Sequence, residues 1–148
     1  VIDVLIYRDP RESTAKCSLT PLRGKPSIRF VPHRRDRRLD VGERTLLHPD
    51  GELLTPADAA RPLLVVDCSW RRLPALLGQL DGVLVRRRLP TLATAYPRKS
   101  RQFEDPATGL ASVEALYAAL AILGEVRPDL LAQYRWAQGF LEANPQLQ

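Results

Sequence analysis

Cysteine, histidine and large aromatic residues are scarce in this 148-residue chain, which has two cysteines, two histidines, two tryptophans, four tyrosines and three phenylalanines. Cys17, Cys68, His33 and His48 form none of the close ligand pairs of a zinc site, so no metal is expected. Reduced thiols are expected rather than a disulfide, as in a cytoplasmic protein. No apolar run approaches the length that crosses a bilayer, and no signal-peptide pattern opens the chain, so no membrane-spanning segment is expected. A GxGxxG fingerprint and a P-loop are both missing, which removes the support for a Rossmann or P-loop nucleotide site. His33 lies in an arginine-rich stretch and His48 is followed by Pro49, contexts that serve a Ser/His/Asp arrangement poorly. There is no internal repeat and no low-complexity segment.

What is present fits one folded domain. A chain of this length can bury a core without staples, and its 45% hydrophobic and 26% charged residues are ordinary for a globular protein. The net charge of +5 understates a strong asymmetry. Arg86, Arg87, Arg88, Arg98, Lys99 and Arg101 follow one another with no acid between them. A second block, RFVPHRRDRR, sets Arg29, Arg34, Arg35, Arg37 and Arg38 against Asp36 alone. Residues 102–148 are acidic instead, with six carboxylates against Arg127 and Arg135. Local positive clusters without offsetting acids point to a polyanion; RNA, DNA and an anionic membrane are candidates, and nucleic acid is favoured.

Short apolar strands alternate with helices, the pattern of an α/β fold. Strands are expected at VIDVLIY (1–7), SIRFVP (27–32), RTLLH (44–48, closed by the turn Pro49-Asp50-Gly51), LLVVD (63–67), VLVRR (83–87) and TLATAY (91–96). LLVVD reads as a central strand. One helical turn is expected around Ala15–Ser18, and a short helix begins at Thr55-Pro56-Ala57-Asp58, where an N-cap residue precedes proline. A helix from Ser69 through Gln79 has Pro74 near its first turn. SVEALYAALAILG (112–124) is apolar almost all round, so it should be buried, with Ser112 as its cap and Gly124 ending it. An amphipathic helix follows from Arg127-Pro128-Asp129 to about Glu142.

In α/β sheets, ligands sit beyond the carboxyl ends of strands, where Asp67-Cys68-Ser69-Trp70 falls. Ser112 at a helix start offers amides suited to a carboxylate or phosphate, and Ser18 in Cys17-Ser18-Leu19-Thr20 is a third candidate. Plainer roles stand beside these: Asp67 as a helix cap, Trp70 in a core, Ser112 as an N-cap.

The order of short motifs adds more. Asp9-Pro10 with Cys17-Ser18, Leu47-His48-Pro49, Leu54-Thr55-Pro56-Ala57-Asp58, Asp67-Cys68-Ser69-Trp70, Arg87-Arg88-Leu89-Pro90 and Leu110-Ala111-Ser112-Val113-Glu114-Ala115 stand in one register over about residues 1–124. In that order they resemble the ribosomal-RNA aminocarboxypropyltransferases, relatives of the DTW-domain enzymes that modify tRNA. The resemblance implies a single SPOUT-like α/β domain, a sheet flanked by helices with a deep trefoil knot in the C-terminal half. Residues 1–62 would form the N-terminal RNA and cofactor half, and 63–148 the SPOUT-like cofactor-binding half. It implies a monomeric cytoplasmic enzyme that binds S-adenosylmethionine and moves its 3-amino-3-carboxypropyl group to N3 of a uridine or pseudouridine derivative. The RNA would be small-subunit rRNA or the pre-ribosomal small subunit; tRNA, or a non-catalytic ribosome-associated binding role, is the alternative.

The resemblance also assigns residues. Trp70 would pack on adenine and bury the methyl group, with Leu73 behind it. Leu47, Pro49, Leu89, Leu110 and Ala115 would line the adenine pocket. The Val66 backbone would hold the ribose hydroxyls, and the backbones of Leu89 and Thr108 would read the adenine edge. Ser18 and the Ser112 amide would grip the carboxylate of the transferred group. Asp67 would sit near its amino end, as a base or, preferably, as an ion-pair partner. Arg34, Arg35, Arg37, Arg38, Arg86, Arg88, Arg98, Lys99 and Arg101 would hold phosphates. Two stretches depart from the family pattern: Thr94-Ala95-Tyr96-Pro97 stands for its A-A-N-P segment and is followed by Arg98-Lys99 instead of an Asn-Tyr-Gly loop, and Phe103–Gly109 is also unlike the common form. These bear on the choice of RNA.

Overall fold

The computed structural model describes residues 1–12, 17–96 and 110–148. Five strands, β1 (Val4–Arg8), β2 (Ile28–Pro32), β3 (Leu39–Leu53), β4 (Leu63–Asp67) and β5 (Leu80–Arg88), pair in the order β2-β1-β4-β3-β5. Every pairing is parallel. The expected α/β class holds, and β4 is central, inserted between β1 and the earlier strand β3. The helices are α1 (Leu73–Leu77), α2 (Ser112–Ile122) and α3 (Ala137–Ala143), joined by short 3-10 turns.

Parallel strands covered on both faces read as unbroken apolar runs, and β1 is buried at all five positions. Side chains alternate across a strand, so β1 feeds two cores. Val4 and Ile6 join Leu63 of β4 and the apolar α2 residues Val113, Leu116, Tyr117 and Leu120 on one face. Leu5 and Tyr7 join Leu46, Leu64, Leu76 and Leu80 on the other. Complete burial of each such leucine contributes roughly 1.5–3 kcal/mol. Strand β3 curls against β5 at Gly42 and Gly82. Gly82 has a φ of +125°, and a β-carbon there would lie 2.3 Å from the Gly42 carbonyl oxygen.

Several elements differ from the sequence expectations. The strand at 44–48 does not stop at Pro49-Asp50-Gly51; β3 continues to Leu53, and these residues form an irregularity where register slips from Leu47 to Glu52 opposite Arg87. Gly51 is required there, because a β-carbon would fall 2.4 Å from the Arg86 carbonyl carbon. The Ser69–Gln79 helix splits into a 3-10 turn, Trp70–Arg72, and the short α1, whose first turn holds Pro74, where its missing N–H costs nothing. The segment from Arg127 to Glu142 likewise divides into a 3-10 turn, Pro128–Leu131, and α3. The turn expected around Ala15–Ser18 lies partly outside the described residues.

TLATAY is the clearest correction, since it is not a strand at all. Its backbone is bound by side chains instead of a ladder. Asn144 accepts from the Ala93 amide at 2.8 Å and donates to the Ala93 carbonyl at 2.7 Å. The fully buried Glu114 accepts from the Ala95 amide at 3.0 Å and the Thr94 hydroxyl at 2.6 Å. Glu114 also accepts from the Ala111 amide at 2.8 Å at the start of α2, where the helix dipole favours its charge. Among the described residues no helix is long and apolar enough to cross a membrane, and no cluster of side chains could hold a metal ion.

Replacing Glu114 with alanine leaves three donors without their acceptor, at about 1–3 kcal/mol for each one that stays buried. Glu114→Ala is expected to destabilise the fold by about 3 kcal/mol in urea unfolding. A loss below about 0.5 kcal/mol, within the range of ordinary surface substitutions, would contradict this anchoring role.

Candidate functional site

The carboxyl ends of β1 and β4 each close an apolar strand with a charge, and Arg8 and Asp67 pair in register. Both are buried, with Arg8 Nε donating to Asp67 Oδ2 at 3.0 Å. The Cys17 thiol donates to the same oxygen at 3.2 Å, and Arg8 Nη2 donates to Cys17 Sγ at 3.3 Å. The Arg8 guanidinium also lies 4.7 Å from the centre of the Phe30 ring. Asp67 Oδ1 has no hydrogen-bond partner among the described residues.

The same edge positions Trp70. The Asp9 amide donates to the Asp67 carbonyl at 2.9 Å, and the buried Asp9 carboxylate binds Arg72 Nε at 2.8 Å. Burial alone would raise the Asp9 pKa, but the bonds from Arg72 and the Arg11 amide outweigh it and hold it below the usual carboxylate range. Arg72 belongs to the turn that carries Trp70, so the loop after β1 grips the loop after β4. Trp70 is left 41% exposed, its ring 5.5 Å from that of His48. Burial, followed by the charges of Asp67 and Asp9, raises the Glu12 carboxyl. Burial, then nearby acids, lifts both thiols: Cys17 upward, and Cys68 to about 12, so both are protonated at neutral pH.

A cavity opens between β4 and the start of α2. Leu47, Pro49 and Leu73 line one side, and Leu110, Ser112 and Ala115 line the other. Val66, Asp67 and Trp70 complete it, with Val65 and Cys68. Ser18 stands beside it: its Oγ accepts from the Val113 amide at 3.0 Å, a side-chain cap supplied from 95 residues away. Ser112 is therefore not the cap; Ala111 holds that position and Ser112 is the first helical residue. The Ser112 N–H has no acceptor among the described residues, and the Ser18 hydroxyl keeps its own hydrogen to donate.

The other expected positions are spread more widely. Leu89 is half-buried against the core packed on α2 and does not line the cavity. Thr108, Arg98, Lys99 and Arg101 lie outside the described residues. Arg34, Arg35, Arg37 and Arg38 sit between β2 and β3, away from the cavity lining. Arg34 pairs with Asp36, Arg37 donates to the Pro32 carbonyl, and Arg38 forks onto Asp81 with bonds of 2.8–3.2 Å. Arg86 and Arg88 are exposed at the end of β5. Sequence reasoning missed Arg8 and Arg72. The signal for Arg8 was available, as a charge closing an apolar strand just as Asp67 does; Arg72 had none beyond its neighbour Trp70.

The cavity suits a ligand with an apolar, flat part and an anionic tail. Its lining is mostly aliphatic with one indole, and the Ser112 amide and the Ser18 hydroxyl hydrogen, the latter beside the cavity, have no acceptor among the described residues. S-adenosylmethionine has that division, and the charge of Asp67 complements a cationic group between the two ends.

Comparison with known proteins bears on this site. Residues 42–148 match the family described as ribosome biogenesis protein, C-terminal. The 16S rRNA aminocarboxypropyltransferase of Halobacterium salinarum is 38% identical over 116 residues, covering 76% of this chain and 65% of that protein. The chain thus spans just under two thirds of that relative's length. The 16S rRNA aminocarboxypropyltransferase of Vulcanisaeta distributa is 35% identical over 95% of this chain and 77% of its own. The solved structure of the SAM-dependent rRNA:acp-transferase Tsr3 from Vulcanisaeta distributa superposes with a TM-score of 0.75 at 28% identity, covering 99% of this chain and 80% of that one.

Removing one member of a buried ion pair costs about 3–5 kcal/mol, whereas replacing both by apolar residues is often nearly neutral. Asp67→Ala is therefore expected to lower stability by about that amount, and Arg8→Leu with Asp67→Leu to recover most of the loss. Additive losses in the double variant would show that the two side chains are not a coupled pair.

Proposed function

Because the chain belongs to the rRNA aminocarboxypropyltransferase family, we propose that it transfers the 3-amino-3-carboxypropyl group of S-adenosylmethionine to N3 of a uridine or pseudouridine derivative in small-subunit rRNA. The observation that carries this reading is the cavity at the end of β4 that Trp70, Leu73 and Ser112 line together, with Ser18 bonded to the next residue of α2 beside it.

S-adenosylmethionine would supply a sulfonium that activates three carbons; bond formation from the γ-carbon of its amino-acid arm to the imide nitrogen would break the γ-carbon–sulfur bond, release a neutral thioether and pass the imide proton to solvent. The protein's task is to choose which carbon meets the nucleophile. Trp70 offers an apolar face that tolerates positive charge and covers the methyl group, with Leu73 beside it. Leu47, Pro49, Leu110 and Ala115 enclose the adenine, and the Val66 backbone takes the ribose. Ser18 and the Ser112 amide hold the carboxylate of the transferred arm at the positive end of α2. Asp67 is bound to Arg8 through Oδ2, and its Oδ1, which has no hydrogen-bond partner among the described residues, pairs with the ammonium group. Fixing the line of attack is the main contribution of these residues.

A SPOUT-like fold with a deep trefoil knot in the C-terminal half belongs to the same proposal and rests on the family resemblance. In the two-half division, 1–62 serves RNA and cofactor and 63–148 the cofactor, and strands from both halves meet at the cavity. The enzyme acts as a monomer in the cytoplasm, its arginines on RNA phosphates.

Cofactor labelled separately in the methyl and carboxyl groups tests the transfer, with small-subunit rRNA and tRNA as acceptors. Carboxyl label entering rRNA without methyl label is the expected result. Methyl incorporation would overturn the reading, label entering tRNA alone would reassign the substrate, and no incorporation despite cofactor binding would favour a binding role.

A further inference from the structure

A second hollow lies next to the cofactor cavity. His48, Trp70, Leu73 and Leu77 form its walls, with Arg86 and Asp50 also lining it. Trp70 and Leu73 line both spaces and stand between them. We propose that this hollow binds one nucleotide neighbouring the modified one, its base against the Trp70 and His48 rings and its phosphate on Arg86; this rests on the RNA substrate proposed above.

The chemistry of the walls selects that occupant. An indole left 41% exposed beside a second ring, over leucine side chains, is a stacking platform for a base taken out of its own stack. The His48 ring is itself buried and backs the indole as a flat neutral surface, with only its edge lining the hollow. Burial, then the nearby Arg86 charge, lowers its pKa, and its Nδ1 accepts from the Asp50 amide at 3.1 Å, leaving the proton on Nε2. Arg86 is exposed, and its guanidinium has no carboxylate partner among the described residues, unlike Arg38, Arg61, Arg72 and Arg87. An open cation beside a stacking platform matches a nucleoside with its phosphate better than it matches an apolar peptide. Asp50 opposes a phosphate at the same mouth, so the two charges give the site opposite levers. A nucleotide held across Trp70 from the cofactor also presses the indole toward the methyl group, linking RNA docking to the choice of carbon.

The test uses the protein saturated with S-adenosylmethionine. Trp70 and Trp136 are the only tryptophans, so in a Trp136→Phe background the fluorescence reports on Trp70. The dinucleotide UpU is expected to quench that fluorescence and to bind more tightly than uridine. Arg86→Gln should weaken UpU about tenfold and abolish its advantage over uridine. It should also reduce the salt dependence of small-subunit rRNA binding by about one unit of slope, leaving cofactor affinity unchanged. Asp50→Asn should tighten UpU. Equal binding of UpU and uridine, no quenching, or an Arg86→Gln variant that binds rRNA like the parent would overturn the site in a protein that transfers carboxyl label. Quenching that follows these charges without any transfer would leave the site standing and overturn the proposed function instead.

Discussion

The buried ion pair between Arg8 and Asp67 is the constraint on which the candidate site depends. It joins the carboxyl ends of the central strand β4 and its neighbour β1 in register, with both charges removed from water. Isolated, either charge would be expensive to bury; together, with Cys17 bonded to both, each answers the other. From that pair the site spreads in two directions. Through Cys17 it fixes the turn that carries Ser18 to the first turn of α2. Through the Asp9 amide and the Asp9–Arg72 pair it fixes the turn that carries Trp70. The two ends of the proposed ligand, held by Ser18 and by Trp70, are thus set relative to one another by a single polar knot at the sheet edge.

A second buried charge performs the same service on the other side. Glu114 gathers the start of α2 and the Thr94-Ala95 segment, so the connection after β5 is tied down by a side chain rather than by strand pairing. The cavity therefore lies between two polar anchors set into apolar layers. The layers supply most of the stabilisation, and the anchors decide where the loops go. That division explains how short, irregular turns hold side chains in place without long helices behind them.

The parts of this fold legible in the sequence are those where burial speaks through pattern. VIDVLIY and LLVVD are apolar on both faces because the sheet is covered on both sides, and SVEALYAALAILG is apolar all round because it is buried. TLATAY misled because its alternation looks like a half-buried strand, while Glu114 and Asn144, far along the chain, take its backbone bonds. The continuous helix from Arg127 failed similarly, since local periodicity carries no information about which turns tertiary contacts tighten. At the site, motif order brought Trp70, Leu47, Pro49, Leu110, Ser112 and Ala115 to one cavity. The cap on α2 was assigned to Ser112 but comes from Ser18, because a cap supplied across 95 residues leaves no local signature. Arg8 escaped notice because its partner is 59 residues away, and only strand register joins them.

In the proposed reaction this cavity presents the γ-carbon of S-adenosylmethionine and hides its methyl group. A crystal structure of the protein with the intact cofactor tests it most directly. The methyl carbon is expected against the Trp70 indole, the arm carboxylate within hydrogen-bond distance of Ser18 Oγ and the Ser112 nitrogen, and the γ-carbon facing the opening. A cofactor with its methyl group at the opening and its amino-acid arm packed on Trp70 would contradict it.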